Sequence, residues 1–289
     1  MNLLLPVRRS LGKLKRRYSG LPPVDLQTEV QPYLKHLRGL VLNAGAGSRP
    51  LDTGLPTLNT DFDETAPVHF FSDLHYIPLQ DSSVDSVISV AVLEHTRLPW
   101  VVAAELFRVL KPGGTLVIAV PFIQPEHAVP HDFFRYTVYG LRSMLEWAGF
   151  IVEDVERIGR YERSLAWLLQ AKWIDSRFFR LPLMLIVNLI ARRARVGDQP
   201  PLSVYTGSYA VARKPGTRQV SDLPDLYAPN WFYPLLVDPV SKQPLTLDGD
   251  HLVSPSARYP ILNQRLDLRP HELSQDHQHK WGAQIPGQK

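Results

Sequence analysis

Short apolar runs, separated by turn or helical segments, recur from residue 40 to about residue 155, and this alternation limits the chain to few architectures. A strand buried on both faces reads as a near-continuous apolar run. The pattern therefore predicts a parallel sheet with helices against it, an α/β fold. Strands are expected near 40–44, 57–60, 68–71, 86–91, 115–120 and 151–156, and LSVYTGSYAVAR (202–213) alternates like a last strand. PWVVAAELFRVL (99–110) has helical apolar spacing and runs into KPGG, a stop signal. A second helix is expected over 137–148, with Thr137 as its cap and Gly149 as its terminator. The first two strand connections are too short for a full crossover helix. The face left bare there must be covered by N-terminal helices, by the helical insertion over 160–196, or by a partner.

Charge is distributed unevenly. The 289 residues carry 32 Lys and Arg against 28 Asp and Glu, but Arg8, Arg9, Lys13, Lys15, Arg16 and Arg17 all precede the first acid, Asp25. Without them the balance is 26 bases to 28 acids, so the basicity is local and the body of the chain is no nucleic-acid platform. Leu4, Val7, Leu11, Leu14 and Tyr18 form an apolar stripe opposite those bases at helical spacing. Residues 1–24 thus read as an anchor on anionic lipid or a docking arm for an acidic partner, with a frayed tail as the alternative. LPLMLIVNLIA (181–191), followed by RRAR, falls short of the roughly 20 residues a spanning helix needs. It suits either a bilayer surface or packing between domains. Cysteine is absent, which removes disulfides, thiolate metal sites and a cysteine nucleophile and is compatible with a reducing cytoplasm.

The chemistry concentrates at strand ends. VLNAGAGSRP (41–50) breaks from an apolar run into glycine, where open α/β sheets bind ligands and where Gly45 and Gly47 let the backbone approach closely. The dinucleotide fingerprint would need a third glycine at position 50, which is Pro50, so a nicotinamide cofactor is disfavoured. Asp61, in LNTDFD after the second strand, can accept both hydroxyls of a ribose, with Asp63 as the near alternative. Asp73, followed by Leu74 after the third strand, can accept from an adenine amino group beside an apolar wall. Glu94 and His95, after the fourth strand, and His127, His131 and Asp132, in PFIQPEHAVPHDFFRYT after the fifth, are candidates for removing a proton from an acceptor. Asp132 has a structural alternative, an ion pair with Arg135 that caps the next helix.

These residues resemble a family. VLNAGAGSRP, the acid in NTDFD, SDLHYIPLQDSSVDSVISVAVLEH and ELFRVLKPGGTLVIAVPF together are similar to class I S-adenosylmethionine-dependent methyltransferases of the small bacterial branch, over roughly residues 35–160. The resemblance implies a Rossmann-like sheet, here with shortened early helices as a departure from the family, and S-adenosylmethionine as cofactor. It implies that Asn43, Gly45, Gly47, Asp61, Asp73, Leu74 and Ala91 bind that cofactor, with Asn43 standing where an acid is usual. His95, His127, His131 and Asp132 are the catalytic candidates, and no residue is assigned to a metal. The acceptor is expected to be a small molecule, a sugar or a lipid-linked intermediate. A non-catalytic cofactor-binding scaffold that holds a partner is the alternative.

A second resemblance lies near the C-terminus. LLVDPVSKQPLTLDGDHLVSPSARYPILNQRLDLRP (235–270) is similar to the small zinc-ribbon-like domains that include a methyltransferase activator subunit. Asp238 and Ser241, then Ser254 and Ala257, stand where metal-binding members carry cysteine pairs. Serine and alanine do not replace thiolates, so a β-rich domain without metal is expected over 234–270, packed on the catalytic domain. The chain thus divides into a basic segment (1–24), a methyltransferase domain (25–214), a linker (215–233), this activator-like domain and a disordered tail (271–289). A protein partner through the C-terminal domain is a further expectation.

Overall fold

The strand that ends in the glycine turn is the centre of the sheet. The computed structural model describes residues 26–48, 50–128, 130–159, 205–216, 232–262 and 265–269. The basic segment, the 160–196 insertion, most of the linker and the tail lie outside the described residues. After helix α1 (Leu26–Leu34) come β1 (Val41–Ala44), β2 (Thr57–Asp61), β3 (Phe70–Phe71) and β4 (Val84–Val90). Helix α2 (Pro99–Val109), β5 (Leu110–Pro121), α3 (Val138–Trp147), β6 (Ile151–Ile158) and β7 (Gly207–Arg213) follow. The strand order is β3-β2-β1-β4-β5-β7-β6. Strands β1 to β5 are parallel, and β7 enters between β5 and β6 antiparallel to both. This is a Rossmann-like sheet. Its order reverses at β1, between β2 and β4, and a crevice opens at such a point beyond the strand ends.

The two faces are packed differently. Apolar residues of α2 (Val102, Leu106, Val109) and α3 (Leu141, Leu145) cover one face over Leu42, Leu58, Leu116 and Ile118. Among the described residues no helix joins β1 to β2 or β2 to β3. On the opposite face, Val30, Leu34 and Leu37 pack on Val41, Ile88, Val117 and Val211, and the Tyr33 ring stacks on Tyr209 at 3.8 Å. Helix α1 therefore supplies part of the cover that the short connections omit. Pro99 starts α2 at a position where its missing N–H costs nothing. The Thr137 hydroxyl accepts from the Gly140 N–H and caps α3. KPGG does more than stop α2, because it already belongs to β5, and the Gly113 N–H donates to the Lys214 carbonyl while the Lys214 N–H donates to that of Gly114.

The C-terminal segment lengthens the sheet. Strands β8 (Thr246–Asp248), β9 (His251–Val253), β10 (Arg258–Leu262) and β11 (Arg265–Asp267) pair antiparallel in sequence, and β11 pairs parallel with β3. Among the described residues the sheet thereby reaches eleven strands. Phe232 packs on the buried Phe70 and meets His69 edge-on, and Lys242 Nζ reaches Glu105 Oε2 of α2 at 2.9 Å. Burial opposes the Glu105 charge, but Arg108 and Lys242 together hold its carboxyl below the usual range. Pairing and packing together remove an open sheet edge at β3.

Within this segment the four positions Asp238, Ser241, Ser254 and Ala257 converge. Asp238 is buried, and its Oδ1 accepts from the N–H groups of Val240 and Ser241, each at 2.9 Å. Its Oδ2 accepts from the hydroxyls of Ser254 (2.5 Å) and Ser256 (3.0 Å), and the Ala257 N–H donates to Ser254 Oγ. Four donors on one carboxylate satisfy a charge that burial would otherwise penalise.

Candidate functional site

The glycine turn is shaped by what lies next to it. Gly45 has φ +78°, and a Cβ there would sit 2.3 Å from Val92 Cγ2, so the wall beyond β4 excludes any side chain. Gly47 has φ +62° and faces open space, with nothing within 4 Å of the place a Cβ would occupy. The N–H groups of Gly45 and Ala46 both donate to the Thr60 carbonyl at 3.0 and 2.9 Å. Asp61 then holds the turn, because its Oδ2 accepts from the Gly47 N–H at 2.7 Å and its Oδ1 from the Asp63 N–H at 2.9 Å. A carboxylate has about four acceptor positions, so two backbone donors leave capacity for ligand hydroxyls. Asp63 turns away and caps its own loop at Thr65.

Asn43 is buried beneath the turn and donates to Asn59 Oδ1 at 2.9 Å. A neutral amide pair occupies this place without the cost of a buried charge. Asp73 caps the short turn Leu74–Tyr76, and its Oδ1 accepts from both the N–H (2.9 Å) and Nδ1 (2.6 Å) of His75. Leu74 is buried against the core. Ala91, at the end of β4, holds φ +55° although it carries a side chain, with its N–H bound to the Ala119 carbonyl. Left-handed backbone at a non-glycine residue stores strain of order 1 kcal/mol and clusters at sites of function. These positions lie at consecutive strand ends around the point where the sheet order reverses.

The histidine candidates separate into different roles. Glu94 and His95 lie in a short turn, Leu93–His95, directly after β4. The loop after β5 folds over it, with the N–H groups of Phe133 and Phe134 donating to the Glu94 carbonyl and the Tyr136 hydroxyl to that of Leu93. His95 and His127 meet edge to face at 4.8 Å between ring centroids. Both rings face Glu94 Oε1, His95 Nε2 at 3.7 Å and His127 Nε2 at 3.6 Å. The Glu94 carboxylate raises the His127 pKa above its ordinary value against the opposing effect of burial. His131 contributes its carbonyl, which accepts from His95 Nδ1 at 2.6 Å, while its ring lies against Phe133.

Asp132 is a brace. Arg135 binds it through two nitrogens at 2.5 and 2.6 Å, and its Oδ2 also accepts from the His127 N–H at 2.8 Å. The guanidinium lowers the Asp132 carboxyl to about 2. Arg135 further donates to the Phe134 and Pro125 carbonyls, so the pair fixes the loop that carries His127. It does not cap α3, which Thr137 does. Sequence reasoning named Glu94 only as one base among several and gave Val92 no role. A buried glutamate with neither oxygen hydrogen-bonded, and a valine side chain filling the space beside Gly45, are legible only in three dimensions.

Residues 58–118 match a methyltransferase domain. That span runs from β2 to the middle of β5 and includes Asp61, Asp73, Leu74, Ala91, Glu94 and His95. A protein of Mycolicibacterium smegmatis named as a probable S-adenosylmethionine-dependent methyltransferase is 31% identical over 135 residues, covering 39% of this chain and 52% of its own. An uncharacterized methyltransferase of Mycobacterium avium is 44% identical over 139 residues, covering 39% and 55%. The chain thus spans about half the length of these curated relatives. Among solved structures, an S-adenosylmethionine-dependent methyltransferase from Archaeoglobus fulgidus aligns with TM-score 0.46 at 15% identity, over 71% of this chain and 99% of that one.

Proposed function

We propose that the chain is an S-adenosylmethionine-dependent methyltransferase whose cofactor lies across the carboxyl ends of β1, β2, β3 and β4. The observation that carries this is the glycine turn tied to Asp61 at the point of order reversal: Asp61 Oδ2 accepts from the Gly47 N–H, Gly47 faces open space, and Asp61 falls inside the matched methyltransferase segment. In this reading Gly45 and Gly47 admit the methionine part, Asp61 accepts the ribose hydroxyls, and Asp73 and Leu74 border the adenine. Asn43 supports the turn from below, and Ala91 forms the wall toward the acceptor. The bound cofactor supplies an electrophilic sulfonium methyl. The protein's part is to hold donor and acceptor in line, which supplies much of the acceleration.

The acceptor is a small molecule, a sugar or a lipid-linked intermediate, and His95 and His127 border its place. Residues 234–270 serve as a metal-free counterpart of a zinc-ribbon activator, a reading supported by the Asp238 hydrogen-bonded centre and by the docking on α2 and β3. The N-terminal bases act at an anionic membrane surface of the cytoplasm. Among the described residues no helix is long and apolar enough to cross a membrane.

Calorimetry with S-adenosylmethionine tests the cofactor assignment. Asp61→Ala is expected to weaken binding by about 1–3 kcal/mol, the scale of lost charge-assisted hydrogen bonds. A folded variant with unchanged affinity would remove Asp61 from the site. Isotopically labelled methyl donor incubated with cell extract, followed by mass spectrometry, identifies the acceptor.

A further inference from the structure

Among the described residues, three buried side-chain polar atoms have no hydrogen-bond partner, and two of them are the carboxylate oxygens of Glu94. Glu94 is 0% exposed. A native protein keeps so costly a group only for a reason, most often catalysis or an ion. The groups that face it are unusual too. His95 Nδ1 lies 2.6 Å from the His131 carbonyl and His127 Nδ1 lies 3.2 Å from that of Pro125. A carbonyl only accepts, so in the neutral rings each Nδ1 carries the hydrogen and each Nε2 presents a lone pair. Both Nε2 atoms lie within 3.7 Å of Glu94 Oε1.

With both rings neutral, three electron-pair donors thus face one another. The separations of 3.6 and 3.7 Å from nitrogen to oxygen exceed hydrogen-bond range. They are close to the edge of a coordination tetrahedron, about 3.3 Å for bonds of about 2.05 Å. All three ligand atoms of Glu94, His95 and His127 lie within 4.8 Å of one another. The histidine tautomers are fixed by backbone carbonyls, the outer hydrogen bonds that orient imidazole ligands in metal centres. The Asp132–Arg135 brace, bonded to the His127 N–H, holds the loop that brings the third ligand.

We propose that Glu94, His95 and His127 form a binding site for a divalent first-row transition ion of the zinc type. Two nitrogens and one carboxylate leave at least one coordination position open, the arrangement of a catalytic centre more than of a closed structural one. That position fits a hydroxyl or carboxylate oxygen of the acceptor. This assignment of the acceptor rests on the methyl-transfer reading, whereas ion binding does not. The ion also explains why a buried carboxylate without a hydrogen bond is kept beside two imidazoles.

The test uses the full chain, stripped with chelator and free of cofactor. Titration with zinc, followed by dialysis and elemental analysis, is expected to give one ion per chain. Cobalt(II) is expected to give visible bands of a four- or five-coordinate nitrogen and oxygen site. Glu94→Gln and His127→Ala should each lower zinc affinity at least tenfold, while His131→Ala, which keeps the carbonyl, leaves it unchanged. Metal-free Glu94→Gln should also melt higher than the metal-free parent, because the buried charge is gone. If neither zinc nor cobalt binds the parent chain above the level of a non-specific surface ion, the cluster is only a carboxylate–histidinium pair and the proposal fails. Zinc binding that survives Glu94→Gln and His127→Ala overturns it equally. S-adenosylmethionine calorimetry on the same samples reports separately on the cofactor reading.

Discussion

A single added methyl group distinguishes the two glycines of the turn. At Gly45 the change to alanine meets two penalties. The backbone at φ +78° is costly for an L-residue by about 1–2 kcal/mol. The new Cβ would also lie 2.3 Å from Val92 Cγ2, where carbon atoms prefer 3.5–4.0 Å, and such overpacking costs about 1–3 kcal/mol. Gly45→Ala is therefore expected to lose about 2–5 kcal/mol. Gly47→Ala meets no neighbour and should lose only the backbone part, about 1–2 kcal/mol. Urea unfolding of both variants measures the difference. The double variant Gly45→Ala/Val92→Ala removes the contacts at 2.3 and 2.8 Å, leaves the residue-92 Cβ at 3.1 Å and retains the backbone penalty, so a double-mutant cycle should show a favourable coupling of about 1–3 kcal/mol. Calorimetry on the folded variants should show the larger affinity loss for Gly45→Ala. Equal losses at the two glycines, or strict additivity in the cycle, would refute the wedge that Val92 is argued to form.

Two further outcomes concern the rest of the chain. Asp238→Ala strands the N–H groups of Val240 and Ser241 and the hydroxyls of Ser254 and Ser256, and should cost about 3 kcal/mol while leaving zinc uptake unchanged. Burial opposes the Asp238 charge, but the hydrogen bonds from Ser254, Ser241, Val240 and Ser256 hold its carboxyl below the usual value. A depressed carboxylate contributes its stability fully above the unfolded value of about 4 and loses it as pH falls through the folded value. The gap between parent and variant in thermal melts should accordingly close below about pH 4. Deletion of residues 1–24 removes six clustered bases, each contributing up to about 1 kcal/mol at an anionic surface. Sedimentation with anionic vesicles should show salt-sensitive binding that the truncated chain largely loses, and equal partition of the two would end the membrane reading.

The sequence by itself determined the elements. Apolar runs bounded by turn residues defined β1 to β7 to within about five residues, and Pro99, Thr137 and Gly149 marked the helix ends, because these signals act through local backbone chemistry. The same locality placed Gly45, Gly47, Asp61 and Asp73 at strand ends. What the tertiary structure decided is which groups meet. Asp61 holds the Gly47 N–H because β1 and β2 pair in register, a relation between residues 14 apart that no periodicity encodes. Helix α1 covers the face that the missing crossover helices leave open, although its own stretch, LQTEVQPYL, carries only a weak apolar signal. Asp132 reads as a candidate proton acceptor or as an ion-pair partner of Arg135, and the structure shows the ion pair. The C-terminal hairpins continue the sheet through β11 beside β3, a pairing that depends on edge hydrogen bonds available to any extended segment. Glu94 and His127, 33 positions apart, become partners because the loop after β5 donates two backbone N–H groups to the Glu94 carbonyl. Local chemistry writes strands and caps into a sequence, whereas burial without a hydrogen bond exists only after the chain has closed around a group.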